Sequence, residues 1–306
     1  MDVIKFYEKG QDNPQNLIVQ WNLGNVCNYS CEYCPSYLHN GQIQWPELDI
    51  IKNTLLKIKN RFPNKTLRIE LLGGEVTLKK DFIEVMSFIK EQQCRSLILT
   101  NGSRTLDYWK KLAPNLDEVI LTFHPQFADK DHYNSIIDIC LENKVNPIVH
   151  IAMVKDLFWD LTEYQKYLKN RYPDLRIDML LMMDKEGRHN NKGFFYNYEE
   201  EQLEYLRNNE TGSTSYVAEY SNGERVEYGL NQVRTLGINN FQGFLCGSTT
   251  SLIVINFLGV ASTSLCRSRP SINVFTGDID SLFEPTVCPL TLCQNPSDIR
   301  TLKIKN

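Results

Sequence analysis

The chain has 306 residues, of which 42% are hydrophobic and 23% are charged, and its formal net charge is −4. This mildly acidic balance argues against general nucleic-acid binding and against binding to acidic membrane surfaces. No apolar run reaches the roughly 18 residues that a membrane span needs, and the N-terminus lacks the pattern of a secretion signal, so a cytoplasmic, reducing location is expected.

The first two thirds of the sequence alternate short apolar strands with amphipathic helices. A series of strand–helix units favours a parallel sheet with right-handed crossovers. A closed (β/α)8 barrel needs about 250 residues, so the stretch 17–185 predicts an α/β fold with a partial (β/α)6 TIM-like barrel; a doubly wound open sheet is the alternative. Strands are predicted over 17–23, 67–72, 97–100, 119–122, 148–153 and 177–181, and helices over 47–61, 81–91, 106–112, 133–143 and 160–171.

The pattern changes near residue 185. The polar segment 184–193 indicates a linker or an active-site loop, and a short helix is predicted over 198–208. Two hairpins follow: one around Asn222-Gly223, a pair that favours a type I′ turn, and one around Leu258-Gly259. We therefore expect an N-terminal extension (1–16), a barrel domain (17–185) and a small α+β domain with β-hairpins (186–306).

Nine cysteines is a high number for a chain in a reducing compartment, where cysteines serve more often as metal ligands or catalytic groups than as disulfides. Three of them form the triplet Cys27-x₃-Cys31-x₂-Cys34 in the loop after the first predicted strand. Three thiolates are too few to close a tetrahedral zinc site or to saturate a 4Fe-4S cube. One metal atom would therefore keep an open position, unless the triplet is a zinc site or a set of incidental thiols.

The triplet carries Tyr33 directly before Cys34, and so resembles the Cys-x₃-Cys-x-aromatic-Cys signature of the radical S-adenosylmethionine (SAM) superfamily. The resemblance implies that Cys27, Cys31 and Cys34 hold a 4Fe-4S cluster whose open iron chelates SAM. It also implies that an electron, from a flavodoxin- or ferredoxin-type donor, cleaves SAM to a 5′-deoxyadenosyl radical. The cofactor carries this chemistry, and the protein positions it.

Motifs at the ends of the next three predicted strands agree with this resemblance. In the family, Gly-Gly-Glu after the second strand recognises the SAM ammonium group, and side chains at the ends of the third and fourth strands lie near SAM. An ordinary turn after the third strand and a structural histidine after the fourth are the alternatives. The predicted cofactor-binding residues are Tyr33, Gly73, Gly74, Glu75, Thr100, Asn101, Thr122 and His124.

Four further cysteines lie late in the chain. Four thiolates fully ligate a second 4Fe-4S cluster, and the hairpin between the first two cysteines would bring those two close together. The segment is similar to the C-terminal twitch or SPASM extension of radical SAM enzymes, in its shorter form with one auxiliary cluster; a four-cysteine zinc site is the alternative. The predicted ligands are Cys246, Cys266, Cys288 and Cys293, which leaves Cys94 and Cys140 as buried small residues or as a hydrogen-atom donor.

The resemblance defines how the reaction begins better than it defines the substrate. Radical SAM enzymes with such extensions often crosslink, epimerise or oxidise ribosomally made peptides, and others oxidise small molecules. A peptide could add a strand to the edge of the hairpin 216–228. We expect oxidative modification of a peptide, and the alternative is dehydrogenation or rearrangement of an aminosugar or a nucleotide by the same radical initiation.

Overall fold

The computed structural model describes residues 2–9, 15–183, 194–209, 215–266, 270–277, 279–283 and 286–305. The predicted linker at 184–193 lies outside these residues. The described strands are β1 (Val3–Glu8), β2 (Asn16–Asn22), β3 (Thr66–Leu72), β4 (Arg95–Thr100), β5 (Glu118–Phe123), β6 (Asn146–Met153), β7 (Arg176–Leu181), β8 (Tyr216–Tyr220), β9 (Arg225–Tyr228), β10 (Phe244–Cys246), β11 (Leu252–Ile255), β12 (Val260–Ser262), β13 (Ser271–Asn273) and β14 (Lys303–Lys305).

The described α-helices connect many of these strands. They are α1 (Leu48–Arg61), α2 (Phe82–Glu91), α3 (Leu106–Leu112), α4 (Lys130–Glu142), α5 (Phe158–Arg171), α6 (Glu200–Asn208), α7 (Leu230–Thr235), α8 (Ser248–Ser251) and α9 (Pro296–Ile299). None of them is both long and apolar enough to cross a bilayer. The strand–helix order that the sequence predicts from β2 to α5 is present in the structure, and the ends of the elements differ from the predicted ends by a few residues.

The chain folds into two compact units, each made of separate stretches of sequence. We call residues 1–22, 49–69 and 213–306 the first unit, and residues 23–48 and 70–212 the second unit. The sequence predicts contiguous segments instead, with boundaries at 16–17 and 185–186. A contiguous division of this kind does not anticipate that the N-terminal strands fold together with the C-terminal third.

The second unit contains a parallel sheet of strands covered by helices. β4, β5, β6 and β7 pair in chain order, all parallel. On β6, Ile148 and Ala152 on one face and Val149 and Ile151 on the other are all buried, which is the pattern of a parallel sheet with helices on its faces. This arrangement brings the carboxyl ends of the strands to one edge.

The first unit contains antiparallel strands that the sequence pattern only partly predicts. Its five-stranded sheet has the order β10-β14-β1-β8-β9, and β11 pairs in parallel with β2 and antiparallel with β12. β1 is therefore an internal strand between β14 and β8, whereas the sequence predicts an extension over residues 1–16. The core of this sheet includes Phe6, Phe241, Phe244 and two of the late cysteines.

The predicted hairpins are present, but the predicted type I′ turn is wrong. Gly223 has a φ of +85°, while Asn222 has no positive φ, and a type I′ turn needs both. The Tyr220 amide instead bonds the Glu224 carbonyl at 2.8 Å, and the Gly223 amide bonds the Tyr220 carbonyl at 2.9 Å. This is a three-residue loop with glycine at the left-handed position, and the loop around Gly259 (φ +74°) has the same form.

Candidate functional site

The cysteine loop is held against the end of β3 by backbone hydrogen bonds within the second unit. The Leu23 amide bonds the Leu72 carbonyl at 2.8 Å, the Gly74 amide bonds the Gly24 carbonyl at 2.9 Å, and the Glu75 amide bonds the Val26 carbonyl at 2.8 Å. A β-carbon on Gly74 would lie 2.2 Å from the Val26 carbonyl oxygen. The glycines are therefore required so that the loop carrying the triplet can approach the strand end.

The Glu75 carboxylate is fully buried and accepts four hydrogen bonds. Its Oε1 accepts from the amide and hydroxyl of Thr77 at 3.0 and 2.6 Å and from the Thr100 hydroxyl at 2.7 Å, and its Oε2 accepts from the Asn101 amide at 2.6 Å. Burial raises the pKa of Glu75, and these hydrogen bonds oppose that effect. Two predicted binding residues, Thr100 and Asn101, thus meet a third, Glu75, at the ends of β3 and β4.

The triplet thiols lie close to each other and differ in exposure. Cys31 is buried, whereas Cys27 and Cys34 are half-buried. Burial raises the pKa of Cys31 to about 12, and Cys34 and Cys27 add to this effect because their thiolates would repel its charge. Metal ligation must therefore be accompanied by loss of the Cys31 proton.

A tyrosine–histidine pair lies beside the triplet. The Tyr33 hydroxyl is 2.7 Å from His124 Nδ1, the two rings stack with centroids 5.9 Å apart, and the Cys31 sulfur is 3.5 Å from the same nitrogen. Burial, with a smaller contribution from His150, lowers the pKa of His124 to about 4, and burial raises that of Tyr33. Near neutral pH both groups are therefore uncharged, and the hydrogen bond joins a neutral phenol to a neutral imidazole.

Asn101 links the end of β4 to the cysteine loop. Its side-chain amide donates to the side-chain oxygen (Oδ1) of Asn28 at 3.0 Å and lies 4.0 Å from the Cys27 sulfur. Ser103 donates to the same Asn28 oxygen at 3.3 Å. Asn28 cannot be predicted as a site residue from the sequence, because a single asparagine inside a cysteine loop has no characteristic spacing.

Thr122 is half-buried on β5, in register with His150 on β6. His150 Nε2 lies 3.5 Å from Asp178 on β7, which also pairs with Arg176 at 2.9 Å. Burial opposes ionisation of Asp178, but the hydrogen bond from His150 and the charge of Arg176 outweigh it and lower the Asp178 pKa. His150 therefore has a charged structural partner.

Aromatic side chains surround the cysteine loop. The Tyr29 ring stacks on Phe127 with centroids 4.9 Å apart, and Tyr33 makes edge contacts with Phe195 and Tyr196. The Tyr196 hydroxyl also hydrogen-bonds Glu32 in the loop. The aromatic composition of the segment 194–198 is visible in the sequence, but its position beside the triplet depends on tertiary structure.

The late cysteines come together within the first unit. The Cys288 amide donates to the Phe244 carbonyl at 2.7 Å and the Cys246 amide to the Thr286 carbonyl at 3.2 Å. Cys288 interacts electrostatically with Cys246 and Cys266, and Cys293 with Cys246 and Cys288. The structure therefore places all four predicted ligands, which we call the cysteine quartet, in one neighbourhood. The isolated Cys94 and Cys140 are half-buried and buried, respectively.

Both cysteine sets have donors that suit an iron–sulfur cluster. Soft thiolates are the preferred ligands of such centres, and three and four of them, respectively, lie near one another. Among the residues that the structure describes, no three His, Cys, Asp or Glu side chains converge on a single ion position.

Sequence comparison links the chain to proteins of known activity. It is 27% identical over 103 residues to an S-adenosylmethionine-dependent nucleotide dehydratase of Fibrobacter sp. (strain UWH6), a match covering 31% of this chain and 30% of that protein. It is 30% identical over 108 residues to a probable GTP 3′,8-cyclase of Thermococcus kodakarensis, covering 34% and 33%. The matched part spans about a third of the length of these two relatives.

Structural comparison supports the predicted fold class. The structure of native anSMEcpe with bound AdoMet and the Cp18Cys peptide matches with a TM-score of 0.61 and 17% identity, over 88% of this chain and 80% of that one. The prediction of an α/β fold with a barrel-like, mostly parallel sheet is therefore confirmed. The family model of the radical SAM superfamily matches residues 21–190, more than half of the chain. The protein thus belongs to the radical SAM superfamily, whose enzymes use a 4Fe-4S cluster and SAM.

Proposed function

We propose that Cys27, Cys31 and Cys34 hold the 4Fe-4S cluster that binds SAM. The support is the family membership together with the contacts of the triplet, whose loop is fastened to the Gly73–Glu75 strand end and to Asn101. When bound, the cluster and SAM supply a 5′-deoxyadenosyl radical that abstracts a substrate hydrogen atom. The protein's own residues position these groups, and Tyr29 of the cysteine loop packs on Phe127.

The cysteine quartet is proposed to hold an auxiliary 4Fe-4S cluster in a twitch- or SPASM-like domain. The single observation that carries this proposal is the meeting of Cys246, Cys266, Cys288 and Cys293, which are separated by up to 47 positions in sequence, in one neighbourhood of the first unit. Four thiolates saturate a cube. Such a centre favours net oxidation, because it can accept the electron that remains on the substrate after hydrogen abstraction.

The substrate is proposed to be a ribosomally made peptide, and the reaction an oxidative modification such as a crosslink, an epimerisation or a side-chain oxidation. β9 is the last strand of its sheet, and no described strand pairs with its outer side. Alternate backbone groups of β9 point away from β8, and an extended peptide can add to such an edge. This edge supports a peptide, whereas a small metabolite would need no strand partner.

A nucleotide is the second candidate substrate. The observation that favours it is that the dehydratase and cyclase relatives are named for reactions of nucleotides and share 27% and 30% identity with this chain. Both candidates begin with the same radical, so the activity of the triplet does not distinguish them. Only the substrate that is consumed does.

The two candidates can be separated with the full chain reconstituted anaerobically with iron and sulfide. The enzyme, SAM and dithionite are incubated either with the short peptides encoded beside its gene or with GTP, and 5′-deoxyadenosine and substrate masses are measured. We expect a crosslink or a side-chain oxidation to remove a pair of hydrogen atoms from the peptide in step with 5′-deoxyadenosine formation, and an epimerisation to leave its mass unchanged but alter its chromatographic retention. Conversion of GTP without any change in peptide mass or retention would contradict the peptide proposal and support the second candidate.

The strand-addition step is tested by replacing Glu227 on β9. The Tyr220–Glu224 pair is hydrogen-bonded, and alternation along the hairpin then points the Glu227 amide away from β8. Glu227→Pro removes this amide donor, and Glu227→Ala keeps it while losing the same ion pair with Lys9 at 2.9 Å. Peptide turnover should fall about tenfold or more in the first variant only, which corresponds to one lost hydrogen bond of about 1.4 kcal/mol; equal turnover in both variants would contradict edge binding.

A further inference from the structure

A buried lysine lies beside the cysteine quartet. Lys303 is 1% exposed, and its register partner across the β10–β14 ladder is Cys246. Side chains of paired residues lie on the same face of a sheet, with β-carbons about 4.5–5.5 Å apart. The Lys303 side chain therefore enters the same core as the quartet, where its ammonium nitrogen lies 5.3 Å from the centre of the Phe241 ring.

The Lys303 ammonium is fully hydrogen-bonded, but only to neutral acceptors. Its three protons are directed to the Asp298 carbonyl oxygen at 2.6 Å, the Thr301 carbonyl oxygen at 2.8 Å and the Thr301 hydroxyl at 2.6 Å. Among the described residues, no carboxylate forms an ion pair with it. A buried charge without a counter-charge is costly, so something anionic is expected nearby.

The sulfur atoms of the quartet, as thiolates, can be that anionic group. The Thr301 hydroxyl that accepts from Lys303 lies 3.8 Å from the Cys246 sulfur. Burial opposes ionisation of Cys246, but Lys303 is the largest of the effects that outweigh burial and lower the Cys246 pKa. Lys303 also acts in the lowering direction on the pKa values of Cys288 and Cys293. The positive charge of Lys303 therefore favours the thiolate form at three of the four predicted ligands.

Asp298 is a further titratable group of this core that Lys303 affects. One of its side-chain oxygens accepts from the Leu265 amide at 3.0 Å, and hydrogen bonds with the Cys266 amide and the Asn295 side chain also favour its ionised form. Burial raises the pKa of Asp298, and the charge of Lys303 opposes this. When ionised, Asp298 competes with the quartet for the charge of Lys303.

We propose that Lys303 is a positioning residue whose fixed positive charge compensates the thiolate-bound cluster of the quartet and makes that cluster easier to reduce. This inference rests on the auxiliary cluster proposed above. Four thiolates give a 4Fe-4S cluster a net negative charge, and adding an electron makes it more negative. Because nearby charge, hydrogen bonds and burial set the reduction potential, a buried ammonium stabilises the reduced form most.

The test is a reductive titration of the auxiliary cluster, followed by electron paramagnetic resonance. It uses the full chain in which Cys27, Cys31 and Cys34 are replaced by Ala, so that only quartet iron contributes, and compares Lys303→Met with Lys303→Arg. Loss of the charge should weaken one-electron reduction at least tenfold, which is a shift of about 59 mV to lower potential. The Arg variant should stay near the parent value.

Asp298→Asn is the second variant, and it should shift the reduction potential in the opposite direction. It retains the side-chain oxygen that accepts from Leu265 and removes the competing negative charge, so the potential should rise. If Lys303→Met does not fold, Lys303→Gln, which keeps hydrogen-bond donors but not the charge, decides: a lowered potential supports the proposal, and an unchanged potential overturns it. With both variants folded, an unchanged potential in Lys303→Met overturns it.

The absence of an auxiliary cluster can be distinguished from the absence of an effect of Lys303 on its potential. A wild-type chain with about four irons, and with zinc in the quartet, contradicts the proposed function and the role of Lys303 together. If the wild-type chain holds about eight irons but neither Lys303→Met nor Asp298→Asn changes the potential of the auxiliary cluster, only the role of Lys303 is contradicted.

Discussion

At the scale of single residues, Glu75 does more than a motif assigns to it. The family resemblance predicts a carboxylate that faces the SAM ammonium group. In the structure the carboxylate is fully buried and gathers the side chain and amide of Thr77 and the ends of β3 and β4 around it. A motif shows which residue type is present, but not that four protein donors already bind it.

Replacing Glu75 with Gln should destabilise the fold as well as weaken SAM binding. The amide turns one acceptor into a donor toward groups that themselves donate, which costs roughly 1.5–3 kcal/mol for a charge-assisted set. Chemical denaturation measures the stability, and equilibrium dialysis with SAM measures the affinity, expected to fall about tenfold or more.

Thr77→Val is the matched control for Glu75, because it removes one donor at 2.6 Å and leaves the charge in place. It should cost about 1 kcal/mol of stability and change SAM affinity little. Unchanged stability and affinity in Glu75→Gln would show that the carboxylate has neither role. Equal losses of affinity in both variants would mean that packing, rather than charge, matters to SAM.

At the scale of elements, local patterns predicted the strands and helices of the parallel sheet well. β4 to β7 and the helices between them have apolar runs and caps that depend on neighbours in sequence, such as Thr105 at the start of α3 and Asp129 at the start of α4. β1, β10 and β14 could not be found in this way. β10 and β14 have only three residues each, and β1 pairs with β14 from the opposite end of the chain.

Gly74 shows how an element end and a loop depend on each other. A β-carbon at this position would lie 2.2 Å from the Val26 carbonyl oxygen, which is a severe overlap. Neither atom can rotate out of this contact, because the backbone fixes the positions of both. Gly74→Ala should therefore cost roughly 3 kcal/mol or more, as severe overpacking does, and the triplet should lose its iron. Thermal unfolding and iron analysis of the reconstituted chain measure these effects.

Gly223→Ala separates backbone strain from this steric overlap. Gly223 has a φ of +85° and open space around its α-carbon, so alanine should cost about 1–2 kcal/mol through strain alone and leave the iron content unchanged. A Gly74→Ala chain that is as stable as Gly223→Ala and keeps its iron would show that the loop does not need this close approach.

At the scale of the whole molecule, the sequence identified both cysteine sets but not the environment of either one. The triplet is recognisable because its spacing is short and local. The quartet is recognisable from its number of cysteines and from the hairpin between the first two, but Lys303 and Asp298, which complete its surroundings, belong to no motif. Likewise, His124 was predicted to lie near SAM, but its hydrogen bond to Tyr33 depends on how β5 meets the cysteine loop.

Because the triplet lies in the second unit and the quartet in the first, each should hold its cluster without the other. The anaerobically reconstituted wild-type chain should bind about eight irons, and replacing all cysteines of either set with Ala should leave about four. Chains without the triplet should produce no 5′-deoxyadenosine, whereas chains without the quartet should still cleave SAM but complete no oxidation. Iron analysis and chromatography of the SAM products measure both effects.

Loss of all iron from either variant would show that the two centres form together, and persistent SAM cleavage without the triplet would contradict its assignment.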